Sequence, residues 1–93
     1  MALVLVPTPL RRLTGGKRKV TVEGSTISEV IEQLEVNYPG VRSRLMGKNG
    51  NVKRFINIFV DGEDIRSEDG AGIDTVVTPK SEISIIPAMA GGK

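Results

Sequence analysis

The residues with the clearest chemical potential are the last six, Ala88-Met89-Ala90-Gly91-Gly92-Lys93: small side chains, a double glycine and a lysine. None of them can hold a core together. Glycines without a Cβ let a backbone thread a narrow channel at any φ, and a terminal carboxylate becomes a chemical handle once it is activated. The pattern suits a carrier whose reactive atom is its own C-terminus, a role that requires no catalytic side chain. The same composition also suits an ordinary frayed terminus, which is the commoner meaning of such an end.

The rest of the inventory excludes more than it offers. The 93 residues include no Cys, no His and no Trp. Thiol catalysis, Ser/His/Asp triads and His or thiolate metal sites are thereby ruled out. The acids lack the alternating spacing of a calcium loop, so no metal ligands and no catalytic residues are assigned. A domain this short also has little volume for a deep, water-excluding cleft, and the reading is that the chain is not an enzyme.

Thirteen Lys and Arg oppose eleven Asp and Glu, a formal net charge of +2. That balance does not demand nucleic acid, and one Tyr with two Phe gives no basic stripe interleaved with stacking aromatics. The cations nevertheless cluster early, at Arg11, Arg12, Lys17, Arg18 and Lys19, while most acids lie later, from Glu29 to Asp69. An electrically polar molecule follows. Ala2–Val6 is too short for a signal peptide, and no apolar run approaches the roughly 20 residues of a spanning helix. A soluble cytoplasmic protein, with no membrane and no nucleic-acid partner, is expected.

Positioning such a tail requires a scaffold, and the periodicities supply one. Ala2–Val6 reads as a strand ending at Pro7, and Pro7–Gly16 as a turning segment. Lys19–Glu23 alternates with Val20 and Val22 on one face, a second strand in a hairpin with the first. Thr26-Ile27-Ser28-Glu29 fits a capping box. Ile27, Val30, Ile31 and Leu34 then follow at helical spacing until Tyr38-Pro39-Gly40 stops the helix. Val41–Met46 reads as a short helical turn and 47–51 as a loop.

Arg54–Val60 is the surest strand, ending at Asp61-Gly62. If Ile56, Ile58 and Val60 face the helix, pleating puts Phe55, Asn57 and Phe59 on the opposite face, where two aromatics need either a partner or a second small cluster. Glu63–Arg66 is at most a short edge strand, Ser67–Gly72 a loop, and Glu82–Ile86 a last strand closed by Pro87. The expected fold is α+β, a ubiquitin-like β-grasp: a mixed sheet of four to five strands with one main helix across one face. The expected division is a domain over 1–87 and a flexible tail over 88–93.

On these residues the chain resembles the ThiS/MoaD-type ubiquitin-like sulfur carriers, closest to their CysO-like cysteine-biosynthesis branch. The resemblance covers nearly the whole length. It rests on the opening strand into Pro7, Gly15-Gly16, the helix from Thr26 to Tyr38, Arg54–Val60, Asp64-Ile65-Arg66, and the ending Ile85-Ile86-Pro87-Ala88-Met89-Ala90-Gly91-Gly92. It implies that an ATP-using, E1-like adenylyltransferase activates Gly92 and that sulfur from a persulfide or sulfide then displaces AMP, leaving a thiocarboxylate. The carrier itself would bind no cofactor. A sulfur-accepting synthase, cysteine synthase-like or serving thiamine or molybdopterin, would receive the sulfur.

Members of that family are active when they end at the double glycine, so Lys93 is expected to be removed by a JAMM-type metallopeptidase, unless it is foreign to the native chain. The partner-binding residues expected are Phe55, Phe59, Pro87, Ala88, Met89 and Ala90, with Gly91 and Gly92 as the sulfur-carrying terminus. A ubiquitin-like modifier joined to target lysines through Gly92 is the alternative, since it needs the same exposed ending.

Overall fold

The period-two runs become strands and the one long period-3.6 run becomes a helix. A computed structural model describes residues 1–67 and 71–87. β1 (Ala2–Leu5) turns Ala2 and Val4 inward and pairs antiparallel with β2 (Lys19–Val22), Val4 opposite Val20. Helix α1 (Ile27–Asn37) follows, and its buried stripe is Ile27, Val30, Ile31 and Leu34. Its start is chemically specified. The Thr26 hydroxyl accepts from the Glu29 N–H at 3.2 Å, and the Glu29 carboxylate accepts from the Ser25 N–H at 2.8 Å. Gly24, just before the cap, is required by close approach: a Cβ there would lie 2.9 Å from Val30 Cγ2 and 3.0 Å from the Val30 backbone nitrogen.

After α1 the chain reverses into a short helix, α2 (Val41–Leu45), which buries Val41 and Leu45. The Glu35 carboxylate ties the two helices together, accepting from the N–H groups of Gly40 at 3.1 Å and Arg42 at 3.0 Å. β3 (Ile56–Val60) and the two-residue β4 (Glu63–Asp64) pair across the Asp61-Gly62 turn. The last strand, β5 (Glu82–Pro87), inserts between β1, to which it is parallel, and β3, to which it is antiparallel. Sheet order is β2-β1-β5-β3-β4. This mixed five-stranded sheet with α1 across one face is the β-grasp expected. Val4, Val22, Ile27, Val30, Leu34, Leu45, Ile58 and Ile83 are the largest fully buried side chains of the core.

Several local expectations are corrected. The connection from β1 to β2 is not a simple turn: Thr8–Thr14 forms a 3₁₀ segment, started by proline and sealed by burial of Leu10 and Thr14. Its left-handed end falls on Gly15, at φ 68°. β3 begins two residues later than expected, because the Ile56 N–H donates to the Lys53 carbonyl and turns Arg54-Phe55 out of the ladder. The edge strand stops at Asp64, although Ile65 is buried, and β5 runs on through Pro87. Among the described residues no helix is long and apolar enough to cross a membrane.

Candidate functional site

β5 alternates Ile83 and Ile85 into the core with Glu82 and Ser84 on the other face, so Ile86 falls among the polar positions. Ile86 thereby leaves an apolar side chain on the outer face. With β1, β5 and β3 in register, the outer face carries one row across all five strands: Lys19, Leu5, Ser84, Phe59 and Asp64. Ile86 sits opposite Asn57 in the adjacent row. Leu5 and Phe59 are half-buried beside small Ser84, and Ile86 is 48% exposed. An apolar strip three strands wide thus runs between a cation at one edge and an acid at the other.

The strip reaches the end of the described chain at Ile86, two residues beyond the Leu5–Ser84–Phe59 row. Pro87 pairs with Ile56, and neither contributes an N–H to the other: proline has none, and that of Ile56 is used by Lys53. The ladder therefore closes at this pair. Phe55, one residue before β3, stands beside it and is 58% exposed. Of the residues anticipated from sequence, Phe55 and Pro87 stand together at this end of the sheet, whereas Phe59, opposite Ser84 and Asp64, lies on the outer face toward the other end of β3. Ala88, Met89, Ala90, Gly91, Gly92 and Lys93 lie outside the described residues.

Sequence reasoning missed Leu5 and Ile86. The available signal was the loss of alternation, continuous apolar residues in Ala2–Val6 and Ile85 followed by Ile86. Among the described residues, chemical groups for turnover do not converge on this face. Among the described residues no three acids cluster to hold a metal ion. A groove of about 690 Å³ is on the helical side, lined by Glu32, Glu35, Arg42, Met46, Lys48 and Lys53 among others. Its acids are engaged, Glu32 with Arg42 at 3.1 Å and Glu35 with the start of α2. The outer face thus carries the end of a central strand with an apolar strip beside it.

Known proteins share this design. The model of the ThiS family matches residues 4–92. The sulfur carrier protein CysO of Mycobacterium tuberculosis is 42% identical over 91 residues, 96% of each chain. Its crystal structure superposes with a TM-score of 0.89 at 39% identity, covering 95% of this chain and 99% of that one. A chain in the Amycolatopsis orientalis BexX/CysO complex superposes with a TM-score of 0.90 at 36% identity, covering 99% of this chain and 100% of that one. The small archaeal modifier protein 3 of Haloferax volcanii is 30% identical over 70 residues, 75% of this chain and 73% of that protein.

Proposed function

The chain belongs to the ThiS family, and on that premise we propose that it is a sulfur carrier whose own Gly92 holds the sulfur. The observation that carries the reading is the placement of β5: a central strand ends at Pro87 beside the apolar strip, five residues before Gly92. A docked partner would grip Leu5, Phe55, Phe59 and Ile86, while the segment Ala88–Gly92 reaches into its active site. Five extended residues span about 17 Å, enough to separate chemistry from docking.

The chemistry follows from what the chain lacks. A carboxylate is a poor electrophile and no side chain here can activate it. An E1-like adenylyltransferase supplies ATP: a Gly92 carboxylate oxygen attacks the α-phosphorus, and pyrophosphate leaves. A hydrosulfide or persulfide sulfur then attacks the acyl carbon and AMP departs. With hydrosulfide the product is the thiocarboxylate directly, while with a persulfide a second thiol must reduce the acyl disulfide first formed. The thiocarboxylate passes its sulfur to an acceptor synthase making cysteine or a sulfur-containing cofactor.

Because the Gly92 carbonyl is an amide while Lys93 follows, the peptide bond after Gly92 must be hydrolysed first, a task suited to a JAMM-type metallopeptidase. Intact mass spectrometry tests this. The chain ending at Gly92, incubated with the activating enzyme, ATP and a sulfur donor, gains the mass difference between sulfur and oxygen, and the chain retaining Lys93 does not. Equal conversion of both forms overturns the need for trimming, and conversion of neither overturns the carrier assignment.

The likeness to a small archaeal modifier protein favours one second reading, conjugation to target lysines through Gly92. Denaturing, reducing gels of a lysate probed for the protein separate the two. A ladder of heavier species supports conjugation, and a single band supports carriage.

A further inference from the structure

The formal charge of +2 hides a separation that only the topology reveals. Because β1 and β5 are parallel, with Leu5 opposite Ser84, the chain leaves β1 at the same end of the sheet where β5 reaches Pro87. The connection Pro7–Arg18 closes there, with the Val6 N–H donating to the Arg18 carbonyl at 2.8 Å. β3 enters there too, Ile56 opposite Pro87. Two connections distant in sequence thus place Arg12, Lys17, Arg18, Lys19, Lys53 and Arg54 around the departure of the C-terminal segment, all exposed. α1 also finishes at this end, where Lys17 Nζ lies 5.9 Å from the centroid of the Tyr38 ring.

Among the described residues, six acids collect at the other end. Glu23, Glu29, Asp61, Glu63, Asp74 and Glu82 are exposed on the β2–α1 connection, the start of α1, the β3–β4 turn, the 3₁₀ turn Gly72–Asp74 and the start of β5. The hydrogen bonds there confirm the grouping: the Asp61 N–H donates to the Glu82 carbonyl, and Thr75 and Ser25 bind the Ile27 and Val77 N–H groups. Lys80 is a cation among them. Nearer the basic end, Glu32 is held by Arg42 and Glu35 is turned to the α2 backbone. Among the described residues the one ion pair is Arg42 with Glu32, so none of the six cations is neutralised by a salt bridge.

The two ends are separated by the length of a strand, about 17 Å, or about two Debye lengths at physiological ionic strength. A surface approaching Pro87 therefore meets the cations with little cancellation from the acids. We propose that the cations surrounding Pro87 form a steering rim for a partner whose tail-receiving mouth is ringed by carboxylates. The proposal rests on the carrier reading and adds the chemistry of the partner's entrance. The rim orients the carrier during diffusion so that the C-terminal segment arrives first, and the apolar strip supplies contact afterwards. Nucleic acid is the other anionic partner, but at this end only Tyr38 and Phe55 are available for stacking.

The test compares charge changes of equal size at opposite ends. Arg12→Glu, Arg54→Glu and Lys80→Glu each shift net charge equally, and all three side chains are exposed. Each variant is made in the chain ending at Gly92, its fold checked by thermal melting, and adenylation by the activating enzyme followed as pyrophosphate release. The rim requires kcat/KM to fall about tenfold for Arg12→Glu and for Arg54→Glu at low salt, with kcat unchanged, and the deficit to shrink as salt is raised. Lys80→Glu should match the unaltered chain.

Equal effects from all three variants would overturn the rim and leave the carrier reading intact. Absence of adenylation in the unaltered chain would overturn both. Binding of a ten-residue oligothymidylate, abolished by Arg12→Glu or Arg54→Glu and not by Lys80→Glu, would assign the rim to nucleic acid instead. Chemical shift changes with a ten-residue oligoglutamate, confined to the basic end, are the supporting result.

Discussion

Replacing Phe55 with alanine should weaken docking far more than folding. The side chain is 58% exposed in a position beside the Pro87–Ile56 pair, so more than half of its surface is available to a partner. An aromatic side chain buries about 150–250 Å² when fully covered, which leaves roughly 100 Å² to be removed from water on docking. At about 25 cal/mol per Å² that amounts to about 2–3 kcal/mol, the range of an interface anchor, and weakens Kd roughly 30- to 150-fold. Folding stability should change by less than about 1 kcal/mol, because Phe55 lies outside the β3 ladder and is absent from the buried core. Isothermal calorimetry with the activating enzyme gives the first quantity and urea denaturation the second. An unchanged Kd combined with a loss of several kcal/mol in stability would refute the reasoning, placing Phe55 in a structural cluster instead.

Two further predictions concern the scaffold. Leu34→Ala, at a buried position on α1, should cost about 2–5 kcal/mol by urea denaturation, whereas Val36→Ala on the exposed face of the same helix should stay within about 0.5 kcal/mol. Gly24→Ala should destabilise by about 1–3 kcal/mol, since its Cβ would press against the Val30 backbone as well as its side chain. A neutral result by thermal melting would show that the segment before α1 can shift without cost.

Much of this protein could be read locally. The Thr26 cap, the 3.6-residue stripe of α1, the alternation in β2 and the Asp61-Gly62 stop after β3 depend on residues within a few positions of one another, so their signals are continuous in the sequence. The absence of Cys and His and the double glycine near the end are likewise properties of composition. They restrict chemistry before any coordinate is known. The 3₁₀ segment at Thr8–Thr14 escaped because its stability comes from burying Leu10 and Thr14 against elements elsewhere in the chain, with little periodicity of its own.

Tertiary structure decided where things meet. Leu5, Ser84 and Phe59 form one row only because β5 inserts between β1 and β3, and strand order is a non-local choice made by closing long loops and filling one core. Arg12 and Arg54 share a rim for the same reason, since a parallel β1–β5 pair brings the β1–β2 connection to the end where β3 begins. Sequence alone named the cations and the aromatics. The parallel β1–β5 register gathered the cations and Phe55 around Pro87, while the pleat of β5 buried Ile83 and Ile85 and turned Ser84 and Ile86 outward.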